Sequence, residues 1–262
     1  MDWSSLGSLF CLELTLGAFV FLALVARAPL TPFFFRLNGG LAVLTLSGAW
    51  WLRFFAVPAE GFDFFLIAFG TGVGLMAYFV ACGRVRSELR EKALWTAAAG
   101  FAAALGGAVF LLSPAPSGWT WLFWVSAAAS GLIAGGVGIA MALGHSYLTV
   151  PGLEVSYLGR LNEASLLSML VKLCCVGALL FAFAAQLETE ERSLFRPMGY
   201  FHLGSRLVVG LLAPMLFGWM VFGCLKHKAT RSATGILYAS TVLVILGEAI
   251  GLSLWGSYGV PL

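Results

Sequence analysis

Glu13, Arg53, Lys172, Arg206 and Glu248 each lie inside a long apolar stretch, and His202 stands four residues before Arg206 in "GYFHLGSRLVVGLLAP" (Gly199–Pro214). Residues four apart share one face of a helix. Charged side chains within apolar spans are rare and by default mark a site: a proton relay, an ion path or a ligand counter-ion. Acids and bases at one depth can also neutralise one another and fix helix register. A pocket with His and Arg donors, carboxylates that accept protons and aromatic walls suits a quinone, whose carbonyls accept hydrogen bonds and whose hydroxyls release protons. On that reasoning the quinone-binding candidates are His202, Arg206, Glu248, Glu13 and Arg53, and the proton-relay candidates are Lys172, Glu13 and Glu248. Trp50, Trp51, Phe201 and Trp219 are candidate walls. No catalytic residue stands out. The ridge His202, Arg206, Gly210, Pro214, Gly218 reads either as a groove for a ring or prenyl tail or as a helix-packing seam kinked at Pro214.

Other chemistries fare worse. A b-type haem needs axial ligands on facing helices. The other histidines, His145 and His227, fall at the opposite ends of their spans from His202, about 30 Å away across a bilayer core, so haem b within this chain is not expected. The five cysteines are scattered through apolar segments with no CxxC or CxxCH pattern. They read as small core residues rather than as a disulfide framework or metal ligands, and no metal site is expected. The last helix has no lysine, which disfavours a retinal protein. No nucleic-acid motif is present.

These residues must be positioned by membrane helices. The chain is 60% hydrophobic and 10% charged, against about 25% charged in soluble domains. A spanning helix needs about 20 apolar residues. Eight segments qualify: 5–26, 38–57, 62–83, 93–113, 119–143, 162–186, 202–224 and 233–256. They form one integral membrane domain, 1–262, of all-α class. "VARA" (Val25–Ala28) resembles a signal cleavage site, but no basic residue precedes it, so the first segment is expected to stay as a helix. Arg27, Arg36, Arg84, Arg86, Arg90, Lys92, Arg160, Lys226, Lys228 and Arg231 fall in odd-numbered linkers, while even-numbered linkers hold only Arg192 and Arg196. Basic loops stay cytoplasmic, so both termini are expected on the periplasmic side of a bacterial inner membrane. That orientation puts Glu13 about 12 Å below the outer surface. It puts Arg53 and Arg206 about one turn below the outer helix ends and Glu248 in the outer half. Only Lys172 falls near the middle. The pairs Gly70/Gly74, Gly131/Gly135 and Gly247/Gly251 allow close helix approach, within the chain or between copies. Basic linkers recur one four-helix period apart, which hints at two four-helix halves.

Eight helices, external termini, no soluble domain and a charged pocket in the outer half resemble the quinone-reactive membrane-anchor subunits of polysulfide- and DMSO-reductase-type respiratory complexes. The final stretch "LYASTVLVILGEAIGLSLW" (Leu237–Trp255) is similar to the last helix of such anchors. The resemblance implies electron exchange between a membrane quinone and iron–sulfur or cytochrome subunits on the periplasmic face. "QLETEERSLFRPMGYF" (Gln186–Phe201) is then a candidate docking loop. The expected function is a quinone-binding subunit of a respiratory electron-transfer complex. The alternatives are a proton- or ion-coupled small-solute transporter and a structural assembly subunit. Charges lying off-centre weigh against the transporter.

Overall fold

The structure, a computed structural model, describes residues 3–56, 62–83, 85–112, 118–149, 153–188, 194 and 196–262, with the side chains of 53–56, 62–63 and 186 outside that description. The helices are α1 (Trp3–Leu24), α2 (Pro32–Ala56), α3 (Phe62–Cys82), α4 (Ser87–Leu112), α5 (Thr120–Thr149), α6 (Ser156–Ala182), the short α7 (Ala184–Leu187), α8 (Pro197–Leu207), α9 (Ala213–Lys226) and α10 (Thr230–Tyr258). A π-helical turn, Val208–Leu212, joins α8 to α9 in one rod. Pro214 has no N–H to offer the Gly210 carbonyl, and the ladder widens just before it, with the Ala213 N–H bonded to the Val208 carbonyl. No β-strand occurs among the described residues.

Seven of these rods are long and apolar enough to cross a membrane. α2 is long enough at 25 residues, but Arg36, Asn38 and the Gly39–Gly40 pair dilute its first third. The chain is an all-helical, multi-pass membrane protein by length and composition. Its outer surface agrees: Phe33, Leu44, Met76, Phe181 and Trp219 are all exposed, as lipid-facing side chains are.

Several helices run past the ends that hydropathy suggests. α4 starts at Ser87 rather than 93, α6 at Ser156 rather than 162, and α8 at Pro197 rather than 202. Glu, Arg and Lys are good helix formers, so polar residues end the apolar run without ending the helix. The expected bound at 186 for the sixth helix is also too late: α6 closes at Ala182, and Phe183 separates it from α7.

α1 and α5 cross at the centre. α1 packs on α2 and α4, and α3 packs on α4; in parallel, α5 packs on α6 and α10, and α9 packs on α10. The neighbour pattern of the first four rods thus recurs in the last four. Every GxxxG pair serves these internal contacts. A Cβ on Gly17 would stand 1.8 Å from the Gly131 carbonyl oxygen, one on Gly70 2.4 Å from that of Gly100, and one on Gly247 2.1 Å from the Gly210 Cα. Backbone here touches backbone, which drives helix association in lipid through packing. A Cβ on Gly256 would meet Leu6, so the start of α1 and the end of α10 lie together.

Candidate functional site

Four charged side chains converge on one level of the bundle. Glu13 lies ten residues into α1, counted from Trp3. Lys172 and Glu248 lie ten residues before the ends of α6 and α10, and Arg206 nine residues into α8. At 1.5 Å per residue each is about 14–15 Å from the same end of the bundle. Two expectations change. Arg206 is not one turn below its helix end, because α8 begins at Pro197. Lys172 does not stand apart but shares the level of the other three. Their side chains are 0–3% exposed.

The pairing is specific. Arg206 Nη2 donates to both carboxylate oxygens of Glu248, at 3.0 Å each, with Ser130 Oγ at 3.5 Å. Gly247 and Gly251 flank Glu248 on α10 and leave room for the guanidinium: a Cβ on Gly251 would lie 3.0 Å from Arg206 Nε, and one on Gly247 3.2 Å from Nη1. Lys172 Nζ donates to Ser126 Oγ at 2.7 Å and to the carbonyls of Ser126 and Pro261, both at 3.3 Å. Pro261 reaches this depth because Gly259 takes a left-handed φ of 74°, its N–H closing on the Trp255 carbonyl. The following residues turn back into the bundle, where Val260 and Leu262 are buried. Ser126 Oγ donates to the Pro261 carbonyl at 2.8 Å, so the returning backbone is satisfied, as non-helical chain at membrane depth must be.

Glu13 differs from its neighbours. It is 3% exposed and lies within the electrostatic reach of Glu248, Lys172 and Arg206, yet no cation stands within 4 Å of it among the described residues. It lines a small cavity together with Ser130, Lys172, Glu248 and Gly251. The space open to a water centre there is about 10 Å³, the size of one water and not of a ring. Beside it, Arg206 Nε and Nη1 find no acceptor among the described residues. With all four groups ionised, the centre holds two positive and two negative charges and is neutral as a unit.

The remaining candidates fall elsewhere. His202 is exposed and does not join the charges. It lines a separate groove of about 300 Å³ between the first turns of α8 and the last turns of α10, with Arg196, Gly199, Ser253, Ser257 and Tyr258. Arg206 and Glu248 lie one to two turns below this groove, about 6–9 Å along the helices. Arg53 sits on α2, but its side chain lies outside the described residues, as does part of the expected docking loop, at 189–193 and 195. Trp51, Phe201 and Trp219 face outward instead of walling a pocket. Trp50 turns inward and donates to Thr71 Oγ1 at 3.2 Å, away from the charges. On the α8–α9 ridge, Gly210 is filled by Gly247 and Gly218 by Leu166, so that face is a packing seam.

Comparison with known protein families, with curated proteins and with solved structures returns no match for this chain. The site's own geometry therefore carries the functional reading. Sequence reasoning missed Ser126, Ser130 and Pro261. The serines did carry a signal: they stand four apart in the apolar run "VSAAASGLIAGG", hence on one helix face.

Proposed function

We propose that this chain is an eight-span membrane protein, both termini outside, that moves protons through the Glu13–Lys172–Arg206–Glu248 centre. One observation carries the reading: a single carboxylate, Glu13, stands without a bound cation beside a one-water cavity, in a centre whose other charges are paired or fully hydrogen-bonded. Arg206 is paired with Glu248, and Ser126 and Pro261 engage Lys172. Glu13 is then the group left to take up and release a proton, through a water bridging it to Ser130 and Glu248. The π turn that follows Arg206 at Val208–Leu212 supports the reading, since π turns recur at functional sites. A solute larger than water does not fit the small cavity.

A second reading follows from the outer groove. At about 300 Å³ it meets the lower bound of small-molecule sites, about 300–1,000 Å³. His202, Tyr258, Ser253 and Ser257 supply hydrogen-bonding groups for a quinone ring. In that case the chain is a quinone-binding subunit of a respiratory complex in the bacterial inner membrane, docked to iron–sulfur or cytochrome partners, and the charge centre takes up the protons that quinol releases.

The test is proton flux into liposomes containing the purified protein and a trapped pH dye, under an imposed potassium diffusion potential. Wild type is expected to acidify the lumen, and Glu13→Gln to remove most of that flux while remaining monodisperse. Unchanged flux in Glu13→Gln defeats the translocation reading. Flux that appears only with an added quinol and electron acceptor, and that is lost in His202→Ala, selects the second reading.

A further inference from the structure

A wide groove lies away from the charge centre, between α3 and α4. It holds about 660 Å³ and is lined by Phe69, Gly72, Val73, Met76, Ala77 and Val80 from α3, facing Leu89, Lys92, Ala93 and Thr96 of α4. Small residues create it: Gly72 has nothing within 4 Å of its Cβ position, and Ala77, Ala93 and Thr96 do not reach across. Thr96 spends its hydroxyl on its own helix, donating to the Lys92 carbonyl at 2.9 Å. The groove wall therefore offers one polar group, the ammonium of Lys92.

Length and charge identify the occupant. From Phe69 to Val80 the groove follows eleven residues of α3, about 16 Å, which matches one leaflet of a bilayer core about 30 Å thick. Lys92 stands at the end of the groove near the α3–α4 connection, where the bundle is basic. Three of its basic neighbours there are already engaged. Arg27 pairs with Glu91, Arg36 donates twice to the Cys82 carbonyl, and Arg90 is buried with its guanidinium 4.8 Å from the Phe35 ring. Lys92 is exposed and has no carboxylate within 4 Å among the described residues. An apolar channel one leaflet long, with an uncommitted cation at its headgroup end, matches one acyl chain of an acidic phospholipid with its phosphate on the lysine.

We infer that the α3–α4 groove is a binding site for an anionic phospholipid, with Lys92 on the phosphate and an acyl chain along Gly72, Met76 and Ala77. The test uses the whole protein, equilibrated in nanodiscs of equal phosphatidylglycerol and phosphatidylcholine, released gently and weighed with its retained lipids by native mass spectrometry. Wild type should retain the glycerol lipid over the choline lipid by about fivefold, the worth of one lysine at an anionic headgroup. Lys92→Gln should bring the two to parity. Gly72→Leu, which fills the groove where a side chain meets nothing, should release both lipids. Arg160→Gln, at the same end of the bundle but outside the groove, should keep the wild-type preference. Equal retention of the two lipids by wild type overturns the inference. So does a preference lost equally in Arg160→Gln and Lys92→Gln, or a second protein chain retained in place of lipid.

Discussion

At the residue scale, Arg206 and Glu248 are the pair on which stability most depends. Removing one partner of a buried pair strands the other charge, at about 3–5 kcal/mol, whereas replacing both with apolar groups is often neutral. Arg206 is 0% exposed, so Glu248→Ala should lower the thermal unfolding midpoint in detergent sharply. Arg206→Met combined with Glu248→Leu should recover most of the loss. A double variant as unstable as the single one would mean that the remaining charges, not the stranded arginine, set the effect. Four of the six candidate side chains, Glu13, Lys172, Arg206 and Glu248, were legible because an ionisable group in an apolar run stands out without any fold. His202 does not join them. Its four-residue spacing from Arg206 puts both on one face, but that face runs from an exposed turn to the buried centre, and the two residues occupy different parts of it.

At the element scale, glycine decides how closely helices approach. Gly17 and Gly138 both sit mid-helix, and sequence alone cannot rank them. A Cβ on Gly17 would strike the Gly131 carbonyl oxygen at 1.8 Å, whereas Gly138 has nothing within 4 Å. Gly17→Ala should therefore cost about 1–3 kcal/mol as overpacking. Gly138→Ala should be neutral or gain about 0.4–1 kcal/mol from reduced freedom of the unfolded chain. Paired thermal melts in one detergent check the contrast, and equal midpoints would contradict the α1–α5 contact. The length of α8 belongs to this scale as well. "PMGYF" carries too little apolar continuity to be read as part of the span, yet it continues the helix and puts Arg206 nine residues from its start. A hydropathy boundary marks where lipid ends, not where hydrogen bonding ends.

At the scale of the whole molecule, the two sets of four rods meet mainly through α1, α4 and α5. If each set is a unit, residues 1–115 and 116–262 expressed as separate chains in one cell should co-purify with the thermal stability of the intact protein within a few degrees. Failure to co-purify would mean that the α4–α5 connection is needed to bring the halves together. The charge centre draws on both sets: Glu13 comes from the first, while Lys172, Arg206 and Glu248 come from the second. Neither half alone holds a neutral centre.

Composition and hydropathy alone determined that this is an all-helical membrane protein and which ionisable groups lie at depth, because both follow from the energy of placing residues in lipid. The repeat was faintly legible as basic linkers four helices apart. Only the tertiary structure decided who meets whom. Arg206 pairs with Glu248 because Gly247 and Gly251 clear a space for the guanidinium. Lys172 is held by Ser126 and a returned backbone, and Glu13 is left beside a cavity one water wide. Those outcomes depend on helix rotation and crossing, set by hydrogen bonds between residues up to 135 positions apart, and no local spacing encodes them.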